Sequence, residues 1–174
     1  MALTPIEREL FKLQKFKKNQ INHMQNGVRL AGLAGVSLED LLRQASSARL
    51  KLAKRFLRSS QHLMSHRPVL YRDVVSRAYY SIYHSARAVS FLTHPGDDYE
   101  EHDKVAAGLP QDLPHVEVWR NKIKDARLKR NEADYEPFMV TDPQFKRASA
   151  TTLSAANDFI VVCSTYLKSK GCNV

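Results

Sequence analysis

The sequence predicts an all-α protein, a bundle of four principal helices with an extra N-terminal helix and a short acidic helix. Two observations support this: apolar residues recur at helical spacing along several long segments, and no segment keeps the alternation of a strand. The chain has 174 residues, which suits one domain with one core. We therefore predict an N-terminal helical extension at residues 1–36, the bundle at 37–171 and a C-terminal tail at 172–174.

The first two predicted helices have clear starting signals. Thr4-Pro5-Ile6-Glu7 combines an N-cap, a first-turn proline and a capping-box glutamate, so a helix is expected from Pro5 to about Asn26. Three glycines, at positions 27, 32 and 35, are then expected to break the chain. Ser37 is a typical N-cap for a long amphipathic helix that ends at Arg67-Pro68.

The basic N-terminal segment could contact RNA or a membrane surface, or pack its apolar stripe on the bundle or a partner subunit.

The remaining elements follow from apolar periodicity and from prolines. A third helix is expected over residues 69–92, and the acidic stretch 99–108 suggests a short helix. The next helix should cover residues 115–134, before a proline interrupts it. The final helix is expected over residues 142–171, with a glycine as its C-terminal cap.

The most informative segment is the tyrosine–histidine motif, residues 76–87, SRAYYSIYHSAR. Four of its side chains recur at i, i+3, i+7 and i+10 and share one helix face, namely Arg77, Tyr80, His84 and Arg87. This face carries two guanidinium groups, a phenol and an imidazole. Such a set can hold a phosphate, although tyrosines in this pattern are also common as core aromatics with a bonded hydroxyl.

The second informative segment is the arginine–asparagine motif, residues 127–137, RLKRNEADYEP. Its stripe places Arg127, Arg130 and Asp134 below an apolar seam that includes Ile123. Arginine is seldom buried without a partner, so an anion is expected near Arg130. The alternative is an ordinary i,i+4 salt bridge between Arg130 and Asp134, which contributes roughly 0.3–0.5 kcal/mol on an exposed helix.

The two motifs together resemble the helical signatures of the HEPN superfamily, small helical domains of prokaryotic toxin–antitoxin and defence systems. The resemblance runs from about Leu38 to Leu167 and rests on residues 76–80, His84 and residues 86–88, and on Arg130-Asn131 followed by residues 133–135. It implies a HEPN-like bundle and a homodimer in which the site faces a two-fold helix interface. It also implies a nucleotidyltransferase antitoxin as a partner, because many family members are accompanied by one.

Many HEPN proteins are metal-independent endoribonucleases, marked by an arginine, four to six residues and a histidine, often beginning Arg-Asn. Here Arg130-Asn131 is present, but Tyr135 stands where the histidine is expected. Metal-free cleavage needs a group that accepts the 2′-hydroxyl proton and a cation that stabilises the charged phosphorane. Phenols, with a reference pKa of about 10, are poor bases near neutrality. His84, six intervening residues after Arg77, has the family spacing on the other helix and could titrate usefully.

The distribution of charged residues and of potential metal ligands limits the functions that the sequence supports. The formal charge is +9, and basic residues dominate segments 38–67 and 119–131, while acidic ones dominate 93–118. This segregation could attract phosphate polymers or give complementary surfaces within an oligomer. His62 and His66 lack a third ligand at a useful spacing, so no metal is assigned.

The chain shows none of the usual cofactor, membrane or secretion signals. No phosphate-binding glycine loop or hydrolase elbow is present, so no cofactor is expected. No apolar run is long enough for a membrane span, and the N-terminus does not resemble a secretory signal. Cys163 and Cys172 do not form a disulfide framework, so we expect a cytoplasmic protein.

Three hypotheses therefore follow from the sequence and the resemblance. The first is an RNA- or nucleotide-binding module with degenerate nuclease chemistry, in which Arg77, Arg127 and Arg130 hold phosphate with Tyr80 and Tyr135 nearby. The second is an active endoribonuclease toxin in which Arg130 and Asn131 stabilise the scissile phosphate, with Tyr135 or His84 replacing the absent histidine. The third is a protein-interaction role, in which the basic face binds an acidic partner such as the antitoxin.

Overall fold

The computed structural model describes residue 14 and residues 16–94, 96, 98–138 and 142–174. Regular structure in these residues is helical, without strands, so the all-α prediction is confirmed. The described residues contain five α-helices: α1 Lys18–Ala34, α2 Leu38–Ser65, α3 Tyr71–Thr93, α4 Val116–Tyr135 and α5 Lys146–Ser169. A 3₁₀ turn at Asp142–Phe145 precedes α5. The chain divides into two compact units, Met1–Leu41 and Leu42–Val174.

The first unit contains α1, and none of the side chains of this helix is buried. The predicted start at Pro5 lies outside the described residues. The predicted break at Gly27 and Gly32 is wrong, because α1 continues through both and ends at Gly35, whose φ of 66° is left-handed. An interior glycine costs a helix roughly 1 kcal/mol relative to alanine, which weakens the helix without ending it.

The N-terminus of α2 has the predicted cap. The Ser37 hydroxyl accepts a hydrogen bond from the backbone N–H of Asp40 at 3.1 Å and donates to the Asp40 carboxylate at 2.7 Å. One orphan N–H of the first turn is thereby satisfied. The helix ends at Ser65, shortly before Arg67-Pro68, as the sequence indicates.

In the second unit, α3 is the central helix and packs against both α4 and α5. Its buried side chains include Tyr79, Ile82 and Val89, and small residues such as Ala78 and Ala86 allow close approach of the neighbouring helices. The part of α2 within this unit contributes core residues to the same cluster, namely Leu50, Ala53 and Leu57. The bundle therefore has a main core with α3 at its centre, and Val75, Ala133 and Phe145 form a second, smaller cluster.

The start of α3 is capped by a distant residue. The Asp142 carboxylate accepts hydrogen bonds from the backbone N–H groups of Tyr71 at 2.6 Å and Arg72 at 3.0 Å. The anion satisfies two orphan donors and lies at the positive end of the helix dipole. The Arg72 side chain donates to the carbonyl of Glu136 at 2.6 Å, at the end of α4. These bonds fix the start of α3 relative to the arginine–asparagine motif.

The expected short acidic helix is a series of turns over residues 98–114. The carbonyl groups of this segment bond to side chains on neighbouring helices: the Tyr83 hydroxyl donates to Glu100, Ser90 donates to Gly108 at 2.7 Å, and Arg120 donates to Leu109 at 3.0 Å. Four of its apolar side chains enter the core, namely Val105, Ala106, Leu109 and Leu113. Tertiary contacts therefore add to local turn bonds such as the one from the Val105 N–H to the Glu101 carbonyl at 3.0 Å.

The described helices include none that is both long enough and apolar enough to cross a membrane.

Candidate functional site

The candidate site lies where the tyrosine–histidine motif on α3 meets the arginine–asparagine motif on α4. Arg130 joins them: its Nη2 donates to the Tyr80 hydroxyl at 2.8 Å, and its Nε lies 2.7 Å from an Asp134 carboxylate oxygen. Its Nη1 donates to the Asn131 side-chain carbonyl at 3.2 Å. The Arg130 side chain is 11% exposed. The anion expected beside Arg130 is Asp134, but the phenol of Tyr80 binds the same guanidinium from another helix.

Arg130 keeps donors beyond these contacts. A guanidinium has five N–H groups, and these three contacts use at most one each. The aromatic rings around it, those of Tyr79, Tyr80 and Tyr135, lie 6.0, 5.4 and 4.9 Å from its central carbon. These contacts hold the group in one orientation, while the unused donors can bind an oxyanion in the fork geometry that arginine favours.

Two further arginines lie beside this cluster without an anionic partner. Among the described residues, Arg77 and Arg127 form neither an ion pair nor a side-chain hydrogen bond. Arg77 is exposed and lies over the Phe56 ring at 5.9 Å. Arg127 is half-buried and lies close enough to Tyr79 to lower the pKa of that phenol, although burial dominates and raises it. Unpaired guanidinium groups next to a partly buried one are typical of a site that attracts phosphate.

His84 is a neutral, stacked side chain. Its ring stacks on Phe56 at 5.3 Å with an interplanar angle of 11° and packs edge-on against Tyr83 at 5.0 Å. Burial first, and then the charges of Arg87 and Arg49, lower the pKa of His84 to about 4. Its Nδ1 is buried and has no hydrogen-bond partner among the described residues. At neutral pH this ring is therefore uncharged and a weak base, and its proposed catalytic role stays a prediction.

The site also includes a histidine that the motif spacing did not identify. His102, in the turn segment between α3 and α4, forms a 2.7 Å hydrogen bond through Nδ1 with the Tyr79 hydroxyl. Its ring lies 4.4 Å from that of Tyr83. Arg87 donates to the Tyr83 hydroxyl at 3.0 Å, and its guanidinium lies 3.9 Å from Glu100. A histidine in an acidic segment without periodicity gives no sequence signal that would connect it to either motif.

Two other predicted site residues, Tyr135 and Asn131, lie at the edge of the cluster around Arg130. Tyr135 is 67% exposed and touches Arg130 only through its ring, while Asn131 is half-buried beside the same guanidinium. Ser76 lies 3.4 Å from the Asp134 carboxylate and connects α3 to this edge. The structure thus brings Arg130, Tyr80 and Asp134 into direct contact, while the roles of all predicted site residues remain predictions.

No group of three or more potential metal ligands occurs within residues 16–94, 98–138 and 142–174.

The fold and this cluster define a class: an all-α bundle in which a tyrosine-bound arginine joins two signature helices. A family model described as the HEPN domain matches residues 46–163. The match covers more than half of the chain and includes both motifs, so the chain belongs to the HEPN domain family. No curated protein matches the chain significantly.

Proposed function

We propose that this protein is an RNA- or nucleotide-binding HEPN module of a toxin–antitoxin or defence system, with degenerate nuclease chemistry. The main support is that Arg77 and Arg127 lack an anionic partner among the described residues. Both lie beside Arg130, whose guanidinium is fixed by its hydrogen bond to Tyr80. These three cationic side chains lie on the adjacent helices α3 and α4, and Asp134 is the carboxylate that binds one of them, Arg130. A phosphate supplies the negative charge that this set lacks.

The chemistry of the site favours binding over cleavage. Tyr135 occupies the position of the family histidine, and its exposed ring contacts Arg130 only through its aromatic face. His84 is neutral and stacked, and its Nδ1 has no hydrogen-bond partner within the described part of the chain. A metal-free ribonuclease needs a group that exchanges protons near neutral pH beside the scissile phosphate. The site thus has cations that suit a phosphate, but it lacks such a group at the family position.

We further propose the setting that the family resemblance implies. The protein would act in the cytoplasm as a homodimer, which would bring two copies of Arg130 into one cleft. A nucleotidyltransferase antitoxin is the proposed protein partner. The described cysteines, Cys163 and Cys172, are free and buried, which is compatible with a reducing compartment.

Salt dependence tests the phosphate contacts. Binding of a labelled RNA, followed by fluorescence anisotropy with a chelator present, should weaken steeply between about 50 and 200 mM salt. Arg127→Ala should weaken binding to all RNA sequences alike and reduce the slope of log affinity against log salt by about one. The matched control is Lys124→Ala, an exposed lysine on the same helix, which should leave the slope unchanged. An RNA affinity that does not change with salt concentration would argue against phosphate contacts and favour an acidic protein partner.

The alternative function is an active endoribonuclease toxin, and Tyr135→His separates it from the proposal. The substitution restores the family spacing after Arg130 and supplies an imidazole, for which general base catalysis typically contributes about 10²–10⁴-fold. We expect the natural protein to be inactive with chelator and the variant to cleave RNA. Tyr135→Phe is the control and should stay inactive. If the natural protein cleaves RNA and His84→Ala abolishes this, the chemical centre is the tyrosine–histidine motif and the proposal of degenerate chemistry is wrong.

A further inference from the structure

His102 lies within the candidate site although neither signature motif contains it. Its segment leaves α3 at Thr93 and returns toward α4, and the Tyr83–Glu100 hydrogen bond holds the backbone two residues before it. Its ring packs against three tyrosines of α3, with centroid distances of 4.4 Å to Tyr83, 5.5 Å to Tyr79 and 6.0 Å to Tyr80. It is therefore fixed against the same Tyr80 ring whose hydroxyl binds Arg130.

The hydrogen bond to Tyr79 determines which ring nitrogen of neutral His102 carries the proton. The Tyr79 hydroxyl has no acceptor other than His102 Nδ1 among the described residues. Burial raises the pKa of this phenol well above its ordinary value, so the hydroxyl keeps its proton and donates it to Nδ1. The neutral ring then carries its own proton on Nε2. His102 is half-buried, so part of the residue is open to solvent.

The groups that face His102 are mainly cationic. Arg87 on α3 and Arg127 and Arg130 on α4 lower the pKa of His102, after burial as the largest cause, and Asp103 on its own segment opposes them. Glu100, also on that segment, lies beside Arg87, and His84 on α3 is neutral. Glu101 precedes it in the chain, and the phenols of Tyr79, Tyr80 and Tyr83 on α3 pack against its ring. Burial and then these cations therefore lower the pKa of His102, and a bound anion would offset the contribution of the cations.

We propose that His102 is a ligand of the bound phosphate, and that phosphate binding is coupled to protonation of its ring. This rests on the proposed function and deepens it by adding a group that can become a cation beside Arg127 and Arg130. Nε2–H donates to a phosphate oxygen. When the ring takes up a proton on Nδ1, the Tyr79 oxygen accepts that N–H and its own hydroxyl hydrogen rotates away.

The sign of the coupling follows from linkage. A phosphate raises the pKa of His102 in the complex above its value in the free protein, so binding takes up protons. Affinity should therefore increase as the pH falls through the pKa of the complex. The gain is limited to about tenfold for each pKa unit by which the anion raises the value.

The test uses a labelled 2′-O-methyl oligouridylate, which cannot be cleaved through its 2′ position and whose phosphodiesters and bases do not titrate between about pH 8 and pH 6. We expect its affinity to rise severalfold over this range for the natural protein and to stay flat for His102→Asn. Asparagine suits a turn and keeps a polar group that Tyr79 can bond. His62→Asn, an exposed histidine on α2, is the control and should retain the full pH dependence. Equal pH dependence in His102→Asn would overturn the proposal.

A second readout separates this proposal from the proposed function. His102 ring resonances, assigned by their loss in His102→Asn, are titrated by NMR with and without sulfate. Sulfate should raise the pKa of His102, and an unchanged pKa would overturn the anion site. If sulfate raises the pKa but the oligouridylate does not bind at any pH, the anion site stands and the RNA-binding function fails. Unfolding midpoints of both variants, followed by Trp119 fluorescence, verify that they fold.

Discussion

Arg130→Ala is expected to lower RNA affinity by about 10-fold to 100-fold, because hydrogen bonds to charged groups contribute about 1.5–3 kcal/mol each in a partly buried site. The same change removes the guanidinium that binds both the Tyr80 hydroxyl and Asp134, and Asp134 then keeps its 3.4 Å contact with the Ser76 hydroxyl. Loss of these bonds should lower the free energy of unfolding by about 1–3 kcal/mol. Fluorescence anisotropy measures the RNA affinity, and urea denaturation measures the free energy of unfolding.

Two control variants distinguish a role of Arg130 in binding phosphate from a role in stabilising the fold. Lys124→Ala removes one positive charge from the exposed face of the same helix and should change neither quantity substantially. Arg130→Lys keeps the charge but cannot reach Tyr80, Asn131 and Asp134 together, so it should recover only part of the affinity. If Arg130→Ala loses stability while its RNA affinity equals that of the natural protein, Arg130 is a structural link between α3 and α4 and not a phosphate ligand.

Phe159→Ala is expected to have the largest effect on stability, a loss of about 3–5 kcal/mol in the free energy of unfolding. Phe159 on α5 is fully buried, and its ring lies 4.7 Å from that of Trp119 on α4. Truncation removes this aromatic contact and leaves a cavity between two helices that bound the core. Trp119 is the only tryptophan, so its fluorescence follows urea unfolding at the affected contact.

The matched control for Phe159 is Val161→Ala, two residues along the same helix. Val161 is 63% exposed, so its truncation should change the free energy of unfolding by no more than about 0.5 kcal/mol. Protein concentration should be equal in all samples, because dimer formation would add to the measured stability. Similar losses for the two variants would mean that α5 does not pack its Phe159 face against Trp119.

The helices of the bundle could be predicted from the sequence because their signals are local. Apolar spacing identified α2, α3, α4 and α5 to within a few residues, and Ser37 marked the start of α2 with a bond that the structure shows. The wrong predictions concern where helices end and whether they form. Gly27 and Gly32 weaken α1 but do not end it. The acidic segment forms turns, not a continuous helix, and its carbonyl groups bond to Tyr83, Ser90 and Arg120.

By itself the sequence determined the helical class, the family and the two faces that carry Arg77, Tyr80, His84 and Arg130, because helical periodicity and short motifs are properties of neighbouring residues. Only the tertiary structure decided how these faces meet. Arg130 and Tyr80 are fifty residues apart and bond directly. His102 bonds to Tyr79 and packs on the Tyr80 ring from a turn segment that no periodicity connects to either motif. Such contacts depend on how the helices and turns pack in three dimensions, which local spacing does not encode.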